Sequence, residues 1–569
     1  MNRTGQPLVL TPNFKRLSVL GAIGLILFVV FQILPGTAMQ STEQQTQKVI
    51  TKQEAFEAAL PYAQQQVGII AANVSYEDVL VTYKSHSDLY GYLVDNKLLV
   101  SYNEQFKQQY PYDLYSVRIP DSEGGQVTVD VHMNTGIPVS YTHESPSSSY
   151  VDPEVLPASQ VEEALLINRM AEGGITLSEK QQLAAPILAA AGYTPSKLNL
   201  TNTDESDTGL IYTDPSMKIG DSVLELRFTF ENGEIRSYEP QFSVPAAHTA
   251  YVEKQTSQAT IMTLVGYGLF TLLLGVLAII YSVRTRAYTS FKRGIWLSIL
   301  YFLFTMIGTF NLLPTFQAEG YSTAMLIILL SIQALFTLAM TCLVYFSLVA
   351  GNGLWRKDGM NLWPQANEKG YGRYVLNSMF SGYLWAFALL GLQSIIFIFL
   401  EKGLGSWSTT DASQSPYNML YPWLMPLLAW MAGIGEEAVY RLFGIRMFKK
   451  MVRSTILASL ITSVIWAMGH TLYPIYPVIT RPIELTIIGL VFSFIMIRYG
   501  FITSMFSHVI FNSILMGVSL IMMMDAVNVF AGVFWIILPA IVGYIIYRFN
   551  PAPKKKKPLF TAPHLEENQ

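Results

Sequence analysis

The stretch LYPWLMPLLAWMAGIGEEAVYRL (residues 420–442) reads as a membrane-spanning helix that contains two adjacent glutamates, Glu436 and Glu437, and Arg441 one turn beyond them. An ionised carboxylate in hydrocarbon is costly without a partner, so charge at this depth marks a functional site by default. On a helix Glu437 and Arg441 stand at i, i+4 and share a face, which lets the guanidinium neutralise that carboxylate as a bidentate pair. Glu436 lies about 100° away around the helix. It is free to face a different cavity and act as a general base.

Outward from this segment the chain is membrane-like: of 569 residues, 51% are hydrophobic and 14% charged. Runs of about 20 apolar residues, enough to cross ~30 Å of hydrocarbon, recur near 17–34, 261–281, 294–313, 324–348, 374–400, 420–442, 454–472, 482–498, 501–523 and 528–548. The expected fold is a polytopic α-helical membrane protein of about ten spans, with an inserted α+β extracytoplasmic domain. Basic residues precede the first span (Arg3, Lys15, Arg16) and follow the second (Arg284, Arg286, Lys292, Arg293), fourth (Arg356, Lys357, Lys369, Arg373) and sixth (Arg446, Lys449, Lys450, Arg453). Arg498 ends the eighth and Lys554 to Lys557 follow the tenth. Positive loops stay in the cytoplasm. With ten spans all these clusters share one side, both termini are cytoplasmic, and residues 36–258 are exported across the plasma membrane. Gly36-Thr37-Ala38 would serve as a leader cleavage site, but an apolar core of about 18 residues exceeds the roughly 7–15 of a signal peptide, which favours an uncleaved anchor.

The single cysteine, Cys342, falls within the fourth span, so intramolecular disulfides and thiolate metal clusters are excluded. A net charge of −3 with no basic stripe of interleaved aromatics gives no sign of nucleic-acid binding. The Lys554–Lys557 run favours anionic lipid.

The exported segment carries a weak internal repeat. Thr51-Lys52-Gln53-Glu54 is a capping box that opens a helix to about Gly68. A strand at Val127–Val131 and a turn at Asn134-Thr135-Gly136 follow. The plan recurs as a helix from Ser178, a strand at Leu224–Phe228 and a turn at Asn232-Gly233, and the return strands match as Ser140-Tyr141 and Ser237-Tyr238. A helix followed by a hairpin, twice, resembles the PepSY-type modules found beside bacterial peptidases. The plainer reading is an α+β sensor or spacer. Ser145 to Tyr150 reads as a linker between the halves. His86, His132, His143 and His248 lack paired metal spacing and are expected on the surface or in turns.

Beyond Arg441, the next span carries Trp466-Ala467-Met468-Gly469-His470, with Gly469 admitting a close helix neighbour. Two spans later comes His508-Val509-Ile510-Phe511-Asn512, an imidazole and a carboxamide on one helix face. Together they offer a base, two imidazoles and an amide donor, the set needed to activate water and hold an oxyanion. Each motif alone is equally well read as polar packing between helices. Glu484, beside Arg481 and Pro482, and Asp525, in a turn, are expected at the interface.

The ordered set Glu-Glu-x-x-x-Arg, aromatic-x-x-x-His and His-x-x-x-Asn resembles the CPBP family of intramembrane proteases, related to type II CAAX prenyl endopeptidases and to bacteriocin-processing and immunity proteins. The likeness covers about 420–525, and Trp466 stands where phenylalanine is usual. It implies that Glu436 activates water with His470, that His508 and Asn512 stabilise the oxyanion, and that Glu437 and Arg441 hold the helix. It also admits Zn2+ on Glu436, His470 and His508, although no His-Glu-x-x-His pattern occurs. The expected parts are an anchor (1–35), the exported domain (36–258), a multi-span domain (259–550) with its protease core at about 374–548, and a basic tail (551–569). The expected partners are a membrane-associated protein or peptide and the bilayer. The rival is a non-catalytic immunity, adaptor or sensor protein that binds ligand through the exported domain. Depth is an open point: straight helices would put His470 about 26 Å above Arg453 but His508 only about 12 Å above Gly500.

Overall fold

The computed structural model describes residues 2–10, 12–34, 49–68, 70–71, 73–146, 160–201 and 209–550. The candidate cleavage site at 36–38, most of the 145–150 linker and the Lys554–Lys557 run lie outside the described residues. The first helix, α1 (Phe14–Ile33), packs along a later one through bare glycines: a Cβ on Gly391 would strike the Gly24 backbone at 2.4 Å.

The segment that follows is one eight-stranded antiparallel sheet in the order β1-β2-β3-β4-β8-β7-β6-β5. The strands are β1 (Leu80–Ser85), β2 (Asp113–Pro120), β3 (Gln126–His132), β4 (Pro138–Glu144), β5 (Asn199–Leu200), β6 (Leu210–Ile219), β7 (Ser222–Glu231) and β8 (Glu234–Phe242). This order reads the internal repeat directly, because the two matching return strands are the ones that pair, Tyr141 opposite Tyr238 and Thr142 opposite Ser237. Each half carries a helix opened by a capping box, preceded in the second half by an uncapped helix at Val161–Ala171. Thr51 and Glu54 close the capping box of α2 (Lys52–Gln66), and Thr176 and Glu179 close that of α3 (Leu177–Ala190), which starts one residue before the expected Ser178. Asn232 (φ 53°) and Gly233 (φ 81°) supply the left-handed pair that a two-residue hairpin needs. Val117, Val129, Leu226, Phe228 and Phe230 form the apolar face that packs into the core.

The histidines depart from expectation in part. His132 and His248 are buried, not on the surface. The imidazole of His132 accepts the Asn134 N–H at 3.1 Å and so shapes the β3–β4 turn, while His248 packs on Trp407 with ring centroids 5.4 Å apart. Burial pushes His86 and His132 down from 6.5 to about 4. Between those values the unfolded chain binds protons that the folded domain refuses, so stability is complete above the unfolded value and is lost as pH falls toward 4. The expected loss is at most about 3 kcal/mol per histidine. Thermal unfolding of the sheet domain within the full chain should therefore occur at lower temperature near about pH 4.5 than near about pH 7.5. Replacing both histidines by Gln should flatten the difference; an unchanged difference would assign it to other groups.

Seven helices among the described residues are long and apolar enough to cross a membrane. They are α1, α4 (Ala246–Arg284), α6 (Thr323–Lys357), α7 (Tyr371–Leu404), α10 (Thr480–Tyr499), α11 (Phe501–Met522) and α12 (Ala526–Phe549). The other three expected spans are helical but shorter or broken. α5 (Ile295–Asn311) and α9 (Thr455–Met468) have 17 and 14 residues. The 420–442 segment begins as short turns and becomes helical only at Leu427, since Pro422 and Pro426 stop an earlier start. From there α8 runs in three pieces, Leu427–Glu436, a π-helical turn Glu437–Gly444, and Ile445–Val452. The wide turn is held from outside, for the Trp355 indole donates to the Leu442 carbonyl at 2.8 Å.

The sheet rests on the loop that leads into α8. Asn418 completes the edge strand β1 from the side: its carboxamide oxygen accepts the Tyr83 N–H at 2.7 Å and its nitrogen donates to the Tyr83 carbonyl at 2.8 Å. An edge that would otherwise be open is thereby closed within the chain. Arg118 on β2 donates to the Ala318 carbonyl at 2.7 Å, below the sheet.

Candidate active site

Antiparallel hairpins bring the polar residues of three helices to nearly one level. α8 and α9 reverse at Arg453, which adopts φ 58°. Seventeen residues separate Arg453 from Glu436 on one side and from His470 on the other. The two therefore face each other about 26 Å from the turn. α10 and α11 reverse at Gly500, where φ is 95° and a Cβ would meet the Tyr374 hydroxyl at 2.5 Å. Eight residues either side of that turn, Phe492 and His508 stack with centroids 4.6 Å apart and planes 20° apart. Phe492 in turn lies 6.3 Å from Trp466. His508 thus sits level with Trp466, one helical turn below His470. With the Trp466 and His508 rings 5.9 Å apart, counting back along both helices sets the Gly500 turn roughly 7 Å above the Arg453 turn, about half of the depth mismatch. Side-chain reach closes the rest.

Glu436 is the point of convergence. The Trp466 indole N–H donates to its Oε2, His508 Nε2 stands 3.7 Å from the same oxygen, and His470 Nε2 stands 3.9 Å from Oε1. Both imidazoles have a fixed tautomer. The Nδ1 of His470 faces the Trp466 carbonyl at 3.0 Å and the Nδ1 of His508 faces the Glu437 carboxylate at 3.0 Å. A carbonyl and a carboxylate only accept, so each Nδ1 carries the proton. Each Nε2 then turns a lone pair toward Glu436. Neither neutral ring can donate to that carboxylate. A water between them can, giving one O–H to Glu436 and the other to an imidazole.

Glu437 and Arg441 are both fully buried, with Oε1 and Nη1 3.4 Å apart. The bidentate hydrogen-bonded pair expected from their spacing does not form in this π-helical turn. Arg441 is instead stacked between Trp466, 4.1 Å from the ring centroid, and Phe492, 5.5 Å away. Glu437 accepts the Ser504 hydroxyl at 2.5 Å and holds His508. It orients an imidazole as well as securing the helix.

Asn512 stands apart. It is half-buried one turn beyond His508, and none of the hydrogen bonds that join Glu436, Trp466, His470 and His508 reaches it. Glu484, in the first turns of α10, is 1% exposed, accepting from Gln393 at 2.8 Å and Arg481 at 2.7 Å. Asp525 does sit at an end, capping α12 through Asn528. Gly469 admits its close neighbour, the Tyr267 ring of α4. Ser504 and Phe492 complete the site unforeseen. Ser504 lies one turn before His508 on the same face, a spacing that could have revealed it; Phe492 carries no signal beyond its apolar helix.

The three candidate zinc ligands do not form a ligand set. In a tetrahedral site with bonds near ~2 Å the donor atoms lie about 3.3 Å apart. Here the two imidazoles approach opposite oxygens at 3.7 and 3.9 Å, and the indole already occupies Oε2. Among the described residues no group of three or more His, Cys, Asp or Glu is placed to hold a metal.

The indole contact yields a direct test. Trp466→Phe keeps a ring beneath Arg441 but deletes the N–H that orients Glu436, and a hydrogen bond to a charged group contributes about 1.5–3 kcal/mol. Hydrolysis should fall about ten- to a hundredfold, read as kcat on the purified protein. An unchanged kcat would show that the indole orients nothing.

One family model matches the part of the chain that carries this arrangement. Residues 418–514 match the family model described as Rce1-like, Type II CAAX prenyl endopeptidase Rce1-like. The chain carries an Rce1-like domain. That domain covers Glu436, Trp466, His470, His508 and Asn512 and places this part of the chain with CAAX-type intramembrane proteases, consistent with the CPBP resemblance. A peptide or protein substrate and a multi-pass membrane setting go with such a family. The match does not extend to the eight-stranded sheet, so the PepSY likeness rests on the repeat alone. No curated protein and no solved structure matches the chain.

Proposed function

We propose that the chain is an intramembrane endopeptidase that hydrolyses peptide bonds of membrane-associated proteins with water activated by Glu436. The observation that carries this reading is the pair of imidazole Nε2 lone pairs turned toward one carboxylate. Glu436 takes a proton from water held between it and the rings, and the hydroxide adds to the scissile carbonyl carbon. Glu436 then passes that proton to the leaving nitrogen as the C–N bond breaks. His470 positions the water through its lone pair. His508, held at its Nδ1 by the Glu437 carboxylate, lines the oxyanion side of the site. Asn512 joins only if peptide binding draws the helices closer. Both termini and the basic loops lie in the cytoplasm in this reading, and the sheet domain lies outside the plasma membrane. Membrane proteomics of wild type against Glu436→Gln tests it: cleaved termini should vanish in the variant, and identical termini in both would overturn it.

A further inference from the structure

Which face of the membrane supplies the substrate is legible from how the site is closed below and open above. The floor is sealed. All eight residues of the π turn Glu437–Gly444 are buried, and Arg441, Trp466 and Phe492 stack directly beneath the carboxylate. Glu437 and His508, which face the packed floor, have side chains 0% and 4% exposed, whereas Glu436 and His470 keep 25% and 21%. The basic cluster Arg446, Lys449, Lys450 and Arg453 lies on the sealed side. From there, about 26 Å of helix separates Arg453 from His470.

Above His470 the chain passes straight to the sheet domain. The His470 ring stacks on Tyr473 with planes 11° apart. Two residues further, Ile475–Tyr476 pairs with Trp407–Ser408 in a short ribbon, and Thr409 accepts its place there by donating its N–H to the Pro474 carbonyl at 3.0 Å. The Thr409 hydroxyl then donates to the carbonyl of Ser87, a residue of the sheet domain, at 2.5 Å. One flank is shut as well, because Tyr267 and Gly266 of α4 pack against Gly469 and Met468. The basic side is packed shut, and the exposed side chains of Glu436 and His470 lie at the end of the site that the ribbon joins to the sheet domain.

We propose that the scissile segment enters from the sheet-domain side, so that the substrates are extended segments of exported or membrane-anchored proteins at the outer face, not chain ends presented in the cytoplasm. This rests on the peptidase reading above, and it adds the face of entry.

Thiol labelling of the full-length protein in membranes tests it. Cys342 is the only cysteine, so Cys342→Ala provides a thiol-free background. In it, Ser413→Cys reports the sheet-domain face, Lys450→Cys the basic face, and His470→Cys and Tyr473→Cys report the site. A membrane-impermeant charged maleimide is applied to intact cells and to inverted vesicles. His470→Cys and Tyr473→Cys should react from the face that labels Ser413→Cys and lose labelling from the face that labels Lys450→Cys. Reaction of the site thiols only from the Lys450 face would overturn the proposal, as would no reaction from either face while both controls react. If His470→Cys does not accumulate, Tyr473→Cys decides. Labelling needs no turnover, so retained cleavage in Glu436→Gln would defeat the peptidase reading and leave the entry face established independently.

Discussion

Glu436→Gln should remove hydrolysis almost completely, with a fall of about 10²–10⁴ in rate, the range for losing a positioned general base. The carboxamide matches the carboxylate in size and its oxygen can still accept the Trp466 indole N–H, so the helices keep their packing. Its nitrogen has no lone pair free for a water proton. Glu436 is 25% exposed and makes no ion pair with Arg441, so the thermal midpoint should hardly move. Glu437→Gln makes the informative contrast. That side chain is fully buried between Arg441, His508 and Ser504. Its replacement should lower stability and activity together. Rates and thermal midpoints of the two purified variants decide the matter: wild-type turnover in Glu436→Gln would exclude it as the base, and an unchanged midpoint in Glu437→Gln would exclude the ion pair as a structural element.

The helical part of this architecture is legible because hydrocarbon forces the chain to declare itself in apolar runs flanked by basic loops. The repeat in the sheet domain is visible for a different reason. Two hairpin turns need left-handed residues, and Asn232-Gly233 and Gly136 supply them. What the sequence does not state is where the turns between helices lie in depth. Counting from Arg453 and Gly500 as though they were level separates His470 from His508. Only packing shows that Gly500 sits higher, pinned by the Tyr374 hydroxyl on the Tyr499 carbonyl at 2.8 Å. The π turn is similarly hidden, since it depends on Trp355 from α6 to satisfy a carbonyl. A bidentate Glu437–Arg441 pair likewise follows from an ideal helix and is absent from the turn that forms.

That failure sets up the second large effect. Arg441 has lost its water, and none of its three guanidinium nitrogens has a hydrogen-bond partner. What holds it is the charge of Glu437 at 3.4 Å and the faces of Trp466 and Phe492. Stacking on desolvated aromatics contributes about 2 kcal/mol, well short of the several kcal/mol per ion that burial costs. The carboxylate must therefore carry most of the compensation. Arg441→Met fills similar space but leaves Glu437 as a buried charge, and breaking such a pair destabilises by about 3–5 kcal/mol. Ser504 and His508 still donate to Glu437, which places the expected loss at the lower end of that range. Removing both charges, in Arg441→Met with Glu437→Gln, should recover most of the stability, because two desolvation costs disappear with the attraction. It should not recover turnover, since His508 loses the carboxylate that fixes its tautomer. Thermal unfolding of the two single variants and the double variant gives the coupling between them. Additive losses would show that the two charges do not depend on one another and that the stacked aromatics alone support Arg441.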